Sequence, residues 1–237
     1  MTGDARVSFR DAAGRESEAG LALVSAEVLA AGRPWRVFRW RQGQAHYSGW
    51  YWSATTGGHV VYESLLELGR LMLADFDPQV AVIAAQPFLV TAPSGGRVRR
   101  HVPDFLVIGR DGGVRVVNVK PAGQLKVPKV AEALAWAGEV FADRGWEHEI
   151  WSGAEPVLLA NVRFLAGYRF ADRVDASLAD AVARHAPPGA TIGELEQGWP
   201  DRADDARAAV LHLLWRGVFH SDLLVPLSSA TRLERVA

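Results

Sequence analysis

The chain has 237 residues, 49% of them apolar, and a formal net charge of −1. Such a length holds one large domain or a medium domain with a smaller one, and the apolar share suits a protein that buries a core. The near-neutral charge excludes a polycationic DNA-coating protein, so any nucleic-acid contact has to be local. No run approaches the roughly 18 apolar residues that span a bilayer. Met1 to Arg6 lacks the charged-then-apolar layout of a secretory signal, and the absence of cysteine removes both a disulfide framework and a thiolate metal site. The expectation is a cytoplasmic protein without a membrane partner, in which any metal is held by oxygen or imidazole.

Residues 1–20 are polar and rich in Gly and Ala, and read as poorly ordered. From Trp35 to Trp52 aromatics and arginines alternate through Val37, Arg39 and Arg41 and then Tyr47 and Trp50, the pattern of one or two strands. Thr55-Thr56-Gly57-Gly58 supplies a turn. Val61 to Ala74 reads as a helix with Val61, Leu65, Leu68 and Met72 on one side. Glu63, Glu67 and Arg70 form a polar stripe opposite, and the helix stops before Asp75-Phe76-Asp77-Pro78. Val80–Ile83 and Phe88–Val90 read as strands, with a turn at 92–96 after them. The densest basic stretch, Arg97-Val98-Arg99-Arg100-His101, fits either a solvated edge strand or a phosphate-binding ribbon.

The clearest hairpin runs from Val102 to Ile108, turns at 109–113, and returns from Val114 to Lys120. Side chains alternate along a strand, so Asn118 and Lys120 share a face. With a three-residue connection at 110–112, Asp104 stands opposite Asn118, and Leu106, Ile108, Val114 and Val116 form the apolar part of that face. A connection one residue shorter or longer would turn Asp104 away. All three lysines, Lys120, Lys126 and Lys129, fall in one ten-residue window of a chain with 23 arginines. Lysine is a compact point charge where arginine is a wide fork, so its survival there suggests a chemical need. One carboxylate, one amide oxygen and a second carboxylate from elsewhere would suit Mg²⁺. Lys120 would then orient water or offset charge on phosphorus. A helix follows from Lys129 to Asp143, closed by Gly145, then a short strand at His148–Trp151. Seven histidines show no metal-ligand spacing and read as structural.

Pro103-Asp104 followed by Asn118-Val119-Lys120 resembles the PD-(D/E)xK nuclease pattern. Ser64-Leu65-Leu66-Glu67, Phe76-Asp77-Pro78 and Gln86-Pro87, in that order, resemble the TnsA-like transposon endonucleases over roughly residues 50–170. That family sets its helical carboxylate nine residues before the Phe-Asp-Pro, which selects Glu67 over Glu63. The resemblance implies an α/β restriction-endonuclease-like core of helix, three strands, helix and strand. It implies metal at Glu67, Asp104 and Asn118, with Lys120 completing the catalytic set and Mg²⁺ or a substituting Mn²⁺ as cofactor. Its implied partners are double-stranded DNA, a DDE-type transposase subunit and an ATPase regulator. Asn118 departs from the superfamily's usual Asp or Glu and brings no charge. Arg97, Arg99, Arg100, Lys126 and Lys129 are candidate DNA contacts or plain surface cations.

Beyond residue 172 three helices, at 175–185, 191–197 and 203–216, precede apolar strand pieces at Val218-Phe219 and Leu223–Pro226, the layout of a winged helix. The third helix and its lead-in carry Asp201, Asp204 and Asp205 beside Arg202, Arg207 and Arg216, without the basic excess of a DNA-reading helix. The expected organisation is an N-terminal extension over 1–50, a nuclease core over 51–172 and a winged-helix-like domain over 173–237. Three functions stand: a transposase endonuclease subunit, a stand-alone restriction or repair nuclease, and a non-catalytic DNA-binding assembly protein on the same scaffold.

Overall fold

The computed structural model of the chain describes residues 5–36 and 47–235, so Val37, Arg39 and Arg41 of the aromatic–arginine stretch lie outside it. Two compact units divide the chain, Met1–Gly153 and Ala154–Ala237. Contrary to the reading of residues 1–20 as unordered, β1 (Arg6–Arg10) and β2 (Glu16–Gly20) pair antiparallel. Val7 and Phe9 turn inward from β1. Strand β2 has no apolar alternation to read. Its backbone ladder and the Arg6–Glu18 and Arg10–Glu16 ion pairs hold it instead. A short helix, α1 (Ala26–Ala30), is capped by the Ser25 hydroxyl.

The hairpin of β3 (Gly49–Ser53) and β4 (Gly58–Tyr62) comes next. The helix expected from Val61 therefore begins later, as α2 (Leu65–Phe76), and keeps Asp75 inside it. Its polar stripe faces inward: Glu67, Arg70 and Asp75 are buried with Leu71, Met72 and Ala74, while Leu65 is exposed. Long-range partners cause this reversal. The Arg70 guanidinium donates two hydrogen bonds to Glu149, at 2.7 and 2.8 Å. Asp75 accepts from Tyr51 Oη, Ser53 Oγ and the amides of Ala54 and Thr55.

Then follow β5 (Val80–Ala85), β6 (Leu89–Ser94), β7 (Arg97–His101), β8 (Phe105–Gly109), β9 (Val114–Val119), the short α3 (Ala122–Leu125), α4 (Pro128–Asp143) and β10 (Glu147–Trp151). They form two four-stranded sheets, ordered β2-β1-β6-β7 and β10-β9-β8-β5. In the second sheet β10 lies parallel to β9 and the other pairs are antiparallel. Its elements occur in the order α2, β5, β8, β9, α4, β10, with β6 and β7 diverted to the first sheet between β5 and β8. Helix α4 starts with Pro128, whose missing amide hydrogen costs nothing in a first turn. Past its end Gly145 takes φ +78°, the left-handed conformation that stops a helix. Trp136, Ala137, Val140 and Phe141 pack from α4 onto Leu106, Ile108 and Val116 in the same core as Val7, Phe88 and Val90.

The second unit opens with α5 (Pro156–Leu165), a helix the sequence reading did not anticipate. α6 (Ala176–His185), α7 (Ile192–Gln197) and α8 (Ala203–Trp215) follow at the expected positions. α5, α6 and α7 all contact α8. Ala209 to Trp215 are buried without a break, so the second half of α8 packs its unit, while Ala203, Asp204 and Asp205 at its start are exposed. β11 (Phe219–His220) pairs antiparallel with β12 (Glu234–Arg235). Leu223–Pro226, expected as a strand, is a turn instead. Asn161 holds it by donating to the carbonyls of Leu223 and Val225 at 2.9 and 2.8 Å. Among the described residues no helix is long and apolar enough to cross a membrane.

Candidate active site

The β8–β9 turn sets the site. Gly109 donates its amide to Gly113 O at 2.8 Å, leaving three residues between, and the ladder pairs Leu106 with Val116 and Phe105 with Val117. Continued by one residue, that register brings Asp104 across from Asn118, as the three-residue connection requires. At this point the ladder changes hands. The Asp104 amide donates to Val117 O at 3.1 Å, but the next acceptor is the Asp104 side chain, whose Oδ2 takes the Val119 amide at 2.7 Å. The same oxygen accepts from Lys120 Nζ at 3.3 Å and from Asn118 Nδ2 at 3.4 Å. Lys120 also donates to its neighbour's carbonyl, Val119 O, at 2.8 Å. Asp104 and Asn118 are buried and the Lys120 side chain is partly exposed, so the ammonium sits where the site meets solvent.

Glu67 comes from the first turn of α2. Ser64 is the N-cap and accepts the Glu67 amide at 3.1 Å, while the Glu67 carboxylate accepts from the Glu63 amide at 2.7 Å and the Ser64 hydroxyl at 3.3 Å. The Ser-x-x-Glu motif is thus a variant of the capping box that also pins the carboxylate. Burial pushes the Glu67 pKa up to about 7, the negative charges of Asp104 and Glu63 add to the rise, and the Glu63 amide and Lys120 oppose it. Glu67, Asp104 and Lys120 are therefore one electrostatic group. Glu63 is engaged as well, paired with Arg36 at 3.1 Å.

Two histidines that spacing alone set aside meet here. His101 Nε2 and His148 Nε2 lie 3.0 and 2.9 Å from Asn118 Oδ1. Burial holds both imidazoles below the usual histidine pKa; for His148 the neighbouring His101 acts in the same direction. They come from β7 and β10, far apart in sequence, and no local signal joins them. Gln86, just beyond β5, donates its backbone N–H to the Asp104 carbonyl at 2.9 Å. It adopts φ +45°, a strained backbone for a side-chain-bearing residue. Its buried Oε1 has no hydrogen-bond partner among the described residues.

The candidate DNA contacts divide. Arg97 and Arg100 are exposed on β7, at the edge of its sheet, and Lys126 and Lys129 are exposed around the start of α4. Arg99 instead pairs with Glu132 of α4 and holds its carboxyl below the usual range.

The donor set fits a hard cation. Two buried carboxylates interact electrostatically with each other and with one partly exposed ammonium, and Gln86, whose backbone amide meets the Asp104 carbonyl, carries an unpartnered amide oxygen. Among the described residues no group of three or more His, Asp or Glu side chains stands ready to hold a metal ion. No curated protein matches the chain. The family model for the TnsA-like endonuclease N terminal matches residues 77–153, which include β8, β9 and β10 and end with the first compact unit. Asp104, Asn118 and Lys120 fall inside the match and Glu67 falls before it. The part of the chain that carries the Asp–Asn–Lys cluster is TnsA-like, as the motif order in the sequence implies.

Proposed function

We propose that this chain is a metal-dependent DNA endonuclease, the subunit of a heteromeric transposase that hydrolyses phosphodiester bonds at transposon ends. The observation that carries the reading is the contact of Lys120 Nζ with Asp104 at 3.3 Å, within electrostatic reach of Glu67. The order α2, β5, β8, β9, α4, β10 supports a restriction-endonuclease-like core. Three helices followed by an antiparallel strand pair support a winged-helix-like second domain. The TnsA-like match supports a nuclease related to transposase subunits.

In this reading Glu67 and Asp104 hold Mg²⁺, or Mn²⁺ in its stead, and Asn118 contributes its amide oxygen. A divalent ion in such a site polarises the phosphodiester and acidifies a water. The chain supplies the rest. Lys120 Nζ offers donors to phosphate oxygens as charge builds on them. Glu67 gives up the proton that burial favours, and Asp104 anchors the ammonium through Oδ2. The substrate is double-stranded DNA in the cytoplasm. A DDE-type transposase and an ATPase regulator are the protein partners, so the purified chain alone is expected to be weakly active.

Cleavage of transposon-end DNA with the transposase present tests this. Asp104→Ala and Lys120→Ala should each lower the rate by about 100-fold or more, the typical loss for one electrostatic stabiliser. Cleavage at the wild-type rate in either variant defeats the assignment, and cutting without any transposase points to a stand-alone nuclease. One observation favours a non-catalytic DNA-binding scaffold: Asn118 presents nitrogen, not oxygen, to Asp104. Calorimetry would then find DNA binding without divalent-ion binding.

A further inference from the structure

Asn118 is wholly buried, and its amide is held at both ends. The oxygen lies within hydrogen-bond distance of two imidazole nitrogens, at 3.0 Å for His101 and 2.9 Å for His148. The nitrogen faces Asp104 Oδ2 at 3.4 Å. A carbonyl oxygen has two lone pairs and takes two donors, so this arrangement requires a proton on Nε2 of both rings. Neutral imidazole meets that requirement in one tautomer. His148 is further fixed by its ring contact with Phe141, at a centroid distance of 5.7 Å, and by close approach to Gly138, where an added Cβ would stand 2.9 Å from Nδ1.

We propose that His101 and His148 are positioning residues that together decide which end of the Asn118 amide faces Asp104. With both rings donating from Nε2, the amide nitrogen points at the carboxylate and helps to hold it against the Val119 amide and the Lys120 ammonium. With both rings in the other neutral tautomer, each Nε2 accepts, and the amide turns over. Its two hydrogens then serve the two rings while the oxygen faces Asp104. The exchange changes no net charge, but it sets the amide oxygen against the Asp104 carboxylate, acceptor against acceptor, so the turned position is favourable only with a cation between the two oxygens. On the nuclease reading, the second position is the one that offers oxygen to a divalent ion, and it is the bridge between this device and the proposed function.

The first measurement needs no metal. Long-range proton–nitrogen spectra of the histidine rings in the metal-free full chain should show hydrogen on Nε2 of both His101 and His148. Asn118→Ala should shift both rings at once, because they share one partner. A bare Nε2 on either ring, or a ring indifferent to Asn118→Ala, overturns the proposal. The second measurement follows Mn²⁺ binding by water-proton relaxation. His101→Phe and His148→Phe keep a ring but cannot accept the turned amide, and each should weaken Mn²⁺ by 10- to 100-fold, the usual cost of losing a partner behind a metal ligand. His148→Gln, which donates or accepts, should restore most of the affinity. Wild-type affinity in both Phe variants contradicts the proposal. If the wild-type chain binds no Mn²⁺, the metal-dependent reading of the site fails, and the ring spectra alone decide whether the two histidines set the amide.

Discussion

Burial is the main reason the Glu67 carboxyl titrates near 7 and not near its ordinary 4.5, with the charges of Asp104 and Glu63 raising it further and Lys120 partly offsetting them. A carboxyl with a raised folded-state pKa gives its full stability below the unfolded value of 4.5 and loses it as pH climbs through 7. The shift corresponds to about 3 kcal/mol, and Glu67 is only 8% exposed, so little of that is screened away. Urea unfolding of the wild type should therefore weaken between pH 4.5 and 8 relative to Glu67→Gln, which carries no charge at either pH. The variant forfeits one acceptor, about 1 kcal/mol at every pH, which offsets the two curves without changing their divergence. Parallel curves would show that Glu67 is not strained. The same residue scale divides what sequence reveals from what it hides. Asp104, Asn118 and Lys120 were legible because strand alternation and a turn of known length place residues of one hairpin. The partners of Asn118 were not, since His101 and His148 approach it from strands on either side of long intervening segments, and pairing at that range leaves no periodic trace.

Helix α2 was legible as an element and misread as a surface. Hydrophobic periodicity assigns Glu67 and Arg70 to a polar stripe, and the charge of Asp75 ends the helix before it, because charge is costly to bury, but that rule holds only for charges without partners. Each of the three has one: the site for Glu67, Glu149 for Arg70, and the β3–β4 turn for Asp75. The start of α2 was misplaced for a related reason, since Val60-Val61-Tyr62 suits a strand as well as a helix and only its pairing with Gly49–Tyr51 decides. The hairpin β1–β2 shows the opposite limit, a polar strand specified by the partner across the ladder. Asp75 gives the sharpest test at this scale. Its carboxylate receives the Ser53 hydroxyl at 2.6 Å, the Tyr51 hydroxyl and the Thr55 amide at 2.8 Å, and the Ala54 amide at 3.1 Å. Asp75→Ala strands those donors, at about 1–3 kcal/mol for each that water cannot reach. The expected loss of stability is roughly 3 kcal/mol or more, read as a lower urea midpoint with unchanged slope. Loss below about 1 kcal/mol would mean that the turn does not depend on α2.

If the chain holds DNA as proposed, the distribution of charge over the molecule limits where the contacts can be. From Ala154 onward Asp and Glu outnumber Lys and Arg, and Asp204 and Asp205 occupy the first turn of α8, where the helix dipole would otherwise favour phosphate. With Ala209 to Trp215 buried, the second half of that helix is occupied in packing its own unit, so basic contacts are expected from the first unit. There Arg97, Arg100, Lys126 and Lys129 are exposed, and Arg99 is taken up by Glu132. Four phosphate contacts predict that the logarithm of the binding constant falls with the logarithm of salt concentration with a slope near −3.6, at about −0.9 per contact. Binding can be followed in Lys120→Ala to prevent cutting, at several sodium chloride concentrations. Removing Arg97, Arg100, Lys126 or Lys129 singly should reduce the slope by about 0.9, whereas Arg99→Ala, which frees Glu132 as it removes a cation already neutralised, should change it less. Substituting Arg207 or Arg216 should leave the slope unaltered. A slope that instead follows the second unit's arginines would move the DNA contacts out of the TnsA-like region, and with them the case for the Asp104–Lys120 cluster as the site of cutting.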